Sequence, residues 1–158
     1  MYITHPIAVS RSVLLMSPDS VEVVAAAVLH DVLEDTDVSR EQMTRDWGRR
    51  VTGIVCELTG DKLLSHHDRA QQNIAHARSL SRGARMVKLA DRHHNLMSCE
   101  MLASEWIDRY YRESRALLLN LNADTVNAAF DTFLEQSYTQ IEKLEALVRG
   151  RGANATQK

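Results

Sequence analysis

The chain has 158 residues, 44% of them hydrophobic and 25% charged, which suits one domain with a real buried core. A net charge of −2 offers no broad basic field, so neither nucleic acid nor an anionic membrane surface is expected as a partner. Only 5% of the residues are aromatic and two are proline, leaving Ala, Leu and Val to build the core, a composition that favours helices.

The start, "MYITHPIAVS", lacks the basic residues and long apolar core of a secretory leader. No apolar run reaches the roughly 18 residues of a membrane span. Cys56 and Cys99 form no CxxC pair, which argues against a zinc–thiolate site and for two reduced thiols in a cytoplasmic protein. Without secretion, the "NAT" at 154–156 is a chance match to a glycosylation acceptor.

In chain order, the pattern predicts a first helix from about Pro6 to Met16, with Pro6 in its first turn, and a turn at "SPDS". The apolar run "VEVVAAAVL" opens a second helix over 21–33, which "DTDVS" breaks. Ser39 is placed to cap a helix over 40–47, Gly48 to end it, and residues 49–59 form a further short helix before Gly60. A polar helix follows near 66–79, with His66 and His67 solvent-exposed at its start. After a break at "SRG" comes a helix over 84–97, then two long ones over about 104–121 and 124–148. The last carries Val126, Phe130, Phe133, Leu134, Ile141 and Leu144 at spacings of three, four and seven, the mark of one apolar face. Residues 150–158 read as a disordered polar tail. No stretch alternates with the period of a strand. The expected fold is all-α, one bundle of seven to eight helices over residues 1–149.

Two stretches carry chemistry. "HDVLEDTD", 30–37, holds one histidine and four acids where the second helix loses its apolar character. On a helical wheel of about 100° per residue, with His30 at zero, Glu34 lies near ~40°, Asp31 near ~100° and Asp35 near ~140°, and the apolar residues occupy the rest. Ala27 is a small residue beneath this polar group. No lysine or arginine sits within several residues of these acids, so they repel one another unless a cation neutralises them. Two readings compete. One is a solvated acidic helix end, which the helix dipole disfavours. The other is a divalent metal held by His30 and Asp31, with Glu34 and Asp35 one turn on to orient water; imidazole and carboxylate suit Mn²⁺, Fe²⁺, Co²⁺, Ni²⁺ or Zn²⁺.

The second stretch, "MVKLADRHHN", 86–95, places Asp91, Asn95 and Lys88 on one face, within about 60° of each other and opposite much of the core. Asp91 is a candidate ligand; Lys88 and Asn95 are candidates for phosphate or ribose. His93 falls among apolar neighbours and reads as a packed, hydrogen-bonded histidine. His94 reads as a support for a metal-binding neighbour.

Together "YITHPIAV", "LHDVLEDTD" and "VKLADRHHN" resemble the HD-domain phosphohydrolases of the RelA/SpoT hydrolase type. "ELTGDKLLSHHDRAQQ", 57–72, resembles the segment between these motifs in the stand-alone small alarmone hydrolases. The resemblance spans residues 2 to about 120. It implies a metal, Mn²⁺ in this family, on His5, His30, Asp31 and Asp91, and a water-activating pair at Glu34 and Asp35. It implies removal of the 3′-pyrophosphate from ppGpp or pppGpp. Lys62 is carried over as a phosphate-side cation, Asn95 as a ribose or ligand-water contact, and Tyr110 as an aromatic near the nucleotide, with Tyr111 or Arg109 as alternative equivalents.

The chain departs from the family in three ways. The family has a basic helix ahead of the His5 motif, whereas this chain begins at that motif; either the start is misassigned or the pocket is expected to be open on that side. His93 replaces a usually aliphatic residue. No synthetase domain follows, so degradation alone is expected. Alternatives are the same fold acting on NADPH or a dNTP, and a silent binding domain; a homo-oligomer fits any of these. Retention of every ligand and both acids argues against silence.

Overall fold

The computed structural model describes residues 3–122 and 126–155. Among these, eight α-helices and two 3₁₀ turns account for all regular structure: α1 Thr4–Met16, α2 Val21–Val28, α3 Val32–Asp35, α4 Arg40–Leu58, α5 His66–His76, α6 Arg82–Ser98, α7 Ser104–Leu121 and α8 Ala128–Ala155. The 3₁₀ turns, Ala77–Ser79 and Cys99–Met101, extend α5 and α6. The all-α expectation holds, and no described helix is long and apolar enough to cross a membrane.

Helix α6 is the axis of the bundle, packed by α1, α2, α4, α7 and α8. Its Val87, Leu89, Ala90 and Leu96 are fully buried against Val9 and Val13 of α1, Ile107 and Leu118 of α7, and Phe130 and Ile141 of α8. A smaller cluster of Ala26, Met43, Val51 and Val55 fastens α2 to α4. The small core residues foreseen from composition are what let α2 lie close beside its neighbours, with Ala26 and Ala27 both inaccessible.

Local signals act as expected at several helix ends. Ser39 caps α4 reciprocally with Gln42, each side chain bonded to the other residue's backbone N–H. Ser65 and Ser81 cap α5 and α6. Gly48 does break the helix, but the chain resumes at once, so 40–47 and 49–58 form one kinked element. Its φ of 82° and ψ of 165° lie where only glycine is comfortable. Gly48→Ala should therefore lower stability by about 1–3 kcal/mol, read as a lower melting temperature, although no atom stands near the added methyl.

Two expectations need correction. The helix over 21–33 is not continuous: α2 stops at Val28, a turn covers Leu29–Asp31, and α3 starts at Val32. Leu29 and Asp31 both sit near φ −100° and ψ 0°, which turns the chain instead of propagating the helix. The wheel angles for residues 30–35 therefore do not apply. The tail expected from 150 also begins as helix, since α8 runs to Ala155. Arg151 explains this, because its guanidinium donates to the carbonyls of Glu100 (2.9 Å) and Leu102 (2.8 Å), tying the helix end to the bundle.

Candidate metal centre

Three helices and the turn between α2 and α3 deliver the polar residues to one place. His5 comes from the first turn of α1, where buried Pro6 begins the helix without an N–H to satisfy. His30 and Asp31 come from the α2–α3 turn, Glu34 from α3, and Lys88 and Asp91 from the middle of α6. His5 Nε2 lies 3.2 Å from Asp91 Oδ1, and His30 Nε2 lies 3.8 Å from the same oxygen. One donor atom from each of His5, His30 and Asp91 falls within 4.8 Å of the other two, a spacing that can close on one ion. Asp31 stands outside that trio but beside it, its Oδ2 3.2 Å from His30 Nε2.

Protonation at His30 explains why a cation fits. The ring is 5% exposed, and Nδ1 lies 2.8 Å from the Ala27 carbonyl, which can only accept. Nδ1 must carry the proton, so in the neutral ring Nε2 presents a lone pair. That atom is buried with no hydrogen-bond partner, and it faces two carboxylates. Lone pair against carboxylate is repulsive unless something positive lies between them. An imidazole whose far nitrogen is fixed by a carbonyl and whose near nitrogen meets carboxylates is a ligand arrangement.

His5 is positioned by a neighbouring ring. Its Nδ1 lies 2.8 Å from Nδ1 of His94, so one ring donates and the other accepts. Burial, and then the neighbouring His5, lower the pKa of His94, which favours the neutral ring as acceptor. The hydrogen bond from His5 to Asp91 is the main cause of a raised His5 pKa, outweighing burial. Burial alone would raise the Asp91 carboxyl, but the His5 bond and the charges of Lys88 and Arg92 win and hold it well below the usual range. Asn95 donates to Asp91 Oδ1 at 2.7 Å, one helical turn on, as the α6 face implied. His94 thus supports His5 as expected. His93 is the packed histidine foreseen, 3.1 Å from Ser137 Oγ and edge-on to Phe133.

A cavity of about 100 Å³ opens on this centre, lined by His30, Asp31, Glu34, Lys88 and Asp91, with Leu58, Val87, Arg69 and Asn73. The Glu34 carboxylate accepts from the Gly60 backbone N–H, which fixes it at the cavity edge. Gly60 permits the approach because a Cβ there would stand 2.9 Å from Arg69 Cδ and 3.1 Å from Glu34 Oε1. Arg69 and Asn73, spaced i and i+4 on α5, were not singled out from the sequence. Their only signal was a shared face on a polar helix otherwise read as solvated.

The remaining candidates sit apart. Asp35 ends α3 and is exposed, and Lys62 is exposed on the loop between α4 and α5; neither lines the cavity. Tyr110 and Asn95 line a separate hollow of about 330 Å³ with Trp106 and Leu102. Tyr110 stacks on Trp106 at 4.7 Å and has the Arg92 guanidinium over its ring, and burial pushes its hydroxyl up to about 12. Of the three alternatives, Tyr110 is the one that shares a hollow with Asn95. Tyr111 points away and bonds Asp108, and Arg109 is exposed and lines neither hollow. A larger groove between α7 and α8 has Arg112, Arg115 and Arg149 already paired with Asp108 or Glu145.

Comparison with known proteins agrees with this geometry. Residues 1–126 match the HD domain family. Among curated proteins, the zebrafish (Danio rerio) guanosine-3′,5′-bis(diphosphate) 3′-pyrophosphohydrolase MESH1 is 34% identical, over 88% of this chain and 79% of its own length. The human MESH1 protein is 36% identical over 71% of this chain and 64% of its own length. A solved structure described as a metazoan orthologue of SpoT that hydrolyses ppGpp superposes with a TM-score of 0.79 at 32% identity, covering 88% of this chain and 80% of that one. A Listeria monocytogenes structure, 23% identical with a TM-score of 0.77, shares the fold.

Proposed function

The chain belongs to the HD-domain family, and from that premise we propose that it is a Mn²⁺-dependent (p)ppGpp 3′-pyrophosphohydrolase. The observation that carries the reading is the unpartnered, buried His30 Nε2 converging with His5 and Asp91 beside a carboxylate, Glu34, that the backbone holds in place. His5, His30 and Asp91 would hold the ion, with Asp31 closing the set. A bound divalent ion lowers the pKa of water on it and polarises a phosphoryl oxygen.

The chain's own groups do the rest. Glu34, its second oxygen free of the Gly60 bond, takes the proton of the attacking water. The water oxygen joins the phosphorus attached to the ribose O3′, the O3′–phosphorus bond breaks, and the ribose oxygen regains a proton. GDP or GTP and pyrophosphate leave. Lys88 faces the cavity to meet phosphoryl oxygens. Asn95 orients Asp91 from below and borders the hollow where Tyr110 offers a ring face to the nucleoside. We assign Asp35 to the water-handling pair with Glu34, and Lys62 and Arg109 to the outer, solvated end of the nucleotide. Two free cysteines fit a reducing compartment, and we place the protein in the cytoplasm.

The test is to load the purified protein with Mn²⁺ and offer ppGpp, NADPH and dNTPs in parallel, with Asp31→Ala as control. Pyrophosphate released from ppGpp, and lost in the control, is the expected result. Phosphate from NADPH instead would replace the proposed substrate, and no Mn²⁺-dependent turnover would overturn the enzyme reading.

A further inference from the structure

The cavity holds a cation that neither the fold nor the metal centre accounts for. Arg69 lines it from α5, and its Nε is buried with no hydrogen-bond partner. Its single described hydrogen bond is a long one, from Nη2 to the Leu64 carbonyl at 3.4 Å. No carboxylate lies within ion-pair distance of it among the described residues, whereas Arg112, Arg115 and Arg149 each have one. A half-buried guanidinium with an orphaned donor is costly unless an anion completes it.

Charge balance indicates when that anion arrives. Asp31, Glu34 and Asp91 line the cavity together with Arg69 and Lys88. A divalent ion bound there shifts the charge of the cavity by two units towards positive. An anion is therefore held more strongly once the metal is bound than before. Only a group with several oxygens can meet the metal, Lys88 on α6 and Arg69 on α5 together, and the planar guanidinium fork matches phosphoryl oxygens.

We infer that Arg69, with Lys88, forms a metal-dependent anion subsite that holds the pyrophosphate group during its displacement. The identity of the anion rests on the hydrolase reading; the subsite itself does not. A purely packing role for Arg69 is the competing explanation, since its Cγ and Cδ lie across Gly60. Arg69→Met separates the two, because it keeps the apolar stem and removes the donors.

The experiment titrates inorganic pyrophosphate by calorimetry into protein loaded with Mn²⁺ and freed of excess ion. Mn²⁺ affinity and melting temperature are measured on the same samples. Wild type is expected to bind pyrophosphate only when loaded. Arg69→Met is expected to bind it about tenfold or more weakly, the loss of a charged hydrogen bond, with Mn²⁺ affinity unchanged. Equal pyrophosphate affinity in Arg69→Met overturns the proposal, as does a loaded wild type that binds none. If Arg69→Met does not fold, Arg69→Gln, which keeps a polar donor without charge, is held to the same criterion. Turnover of ppGpp with an unaffected Arg69→Met overturns the subsite and leaves the hydrolase. Loss of pyrophosphate binding in Arg69→Met, in a protein that turns over no ppGpp, does the reverse.

Discussion

Asp91→Asn is expected to abolish Mn²⁺ binding while leaving the fold intact. The carboxylate is the hub of the centre: one oxygen lies 3.2 Å from His5, 3.8 Å from His30 and 2.7 Å from Asn95. Substitution by the amide keeps the volume, so neighbouring Ala90 and Val87 stay packed. It removes the one charge that the two imidazoles face in common. Losing a group that merely supports a ligand costs about 10–100-fold in metal affinity, so losing this ligand should exceed 100-fold. Calorimetry with Mn²⁺ measures it, and hydrolysis should fall to background. A second readout needs no metal. The hydrogen bond to Asp91 is the main cause of the raised His5 pKa, so in Asp91→Asn the His5 titration followed by NMR should move down. An Asn variant with full Mn²⁺ affinity would show that the ion is held elsewhere.

Glu34→Gln should have the opposite signature: metal retained, turnover lost. A glutamine can keep its side-chain oxygen on the Gly60 N–H, so the 59–61 segment need not move. What it cannot do is accept a proton from water. General-base assistance contributes on the order of 10²–10⁴ in rate, and kcat should fall within that range with KM little changed. Mn²⁺ affinity equal to wild type completes the pattern. Gly60→Ala offers a geometric counterpart, since its methyl would press on both Arg69 and the Glu34 oxygen and disturb the carboxylate without changing its chemistry. If Glu34→Gln left kcat untouched, the proton acceptor would have to be sought at Asp35, exposed at the end of α3.

The two motifs were legible to different degrees. Helix α6 is continuous, so its wheel was faithful: Asp91 and Asn95, one turn apart, do bond, and His93 does pack inward. Nothing in "VEVVAAAVLHDVLED" marks the break after α2; it has no glycine and no proline. The break is made by His30 itself, whose ring donates to the Ala27 carbonyl that a continuing helix would give to the backbone of residue 31. Side-chain capture of a main-chain acceptor cannot be seen in hydrophobic periodicity. Arg69 and Asn73 were invisible for another reason, since a polar face on α5 looks the same whether it meets water or a cavity.

While His5 was named only through the family resemblance, the sequence by itself determined the helical class, the order of the elements, and His30 and Asp91 as candidate metal-binding groups. Those follow from local rules: periodicity, caps, and residue chemistry at short spacing. Only the tertiary structure decided that His5, from the first turn of α1, and Asp91, from α6, meet at 3.2 Å, that Tyr110 and not Arg109 shares a hollow with Asn95, and that Arg69 lines the metal cavity with no carboxylate at ion-pair distance among the described residues. His5 and Asp91 are 86 positions apart in the chain. These relations are set by how helices pack around α6, where burial and exclusion of water convert side chains that would be ordinary in solvent into ligands, a fixed carboxylate and a cation that requires an anion.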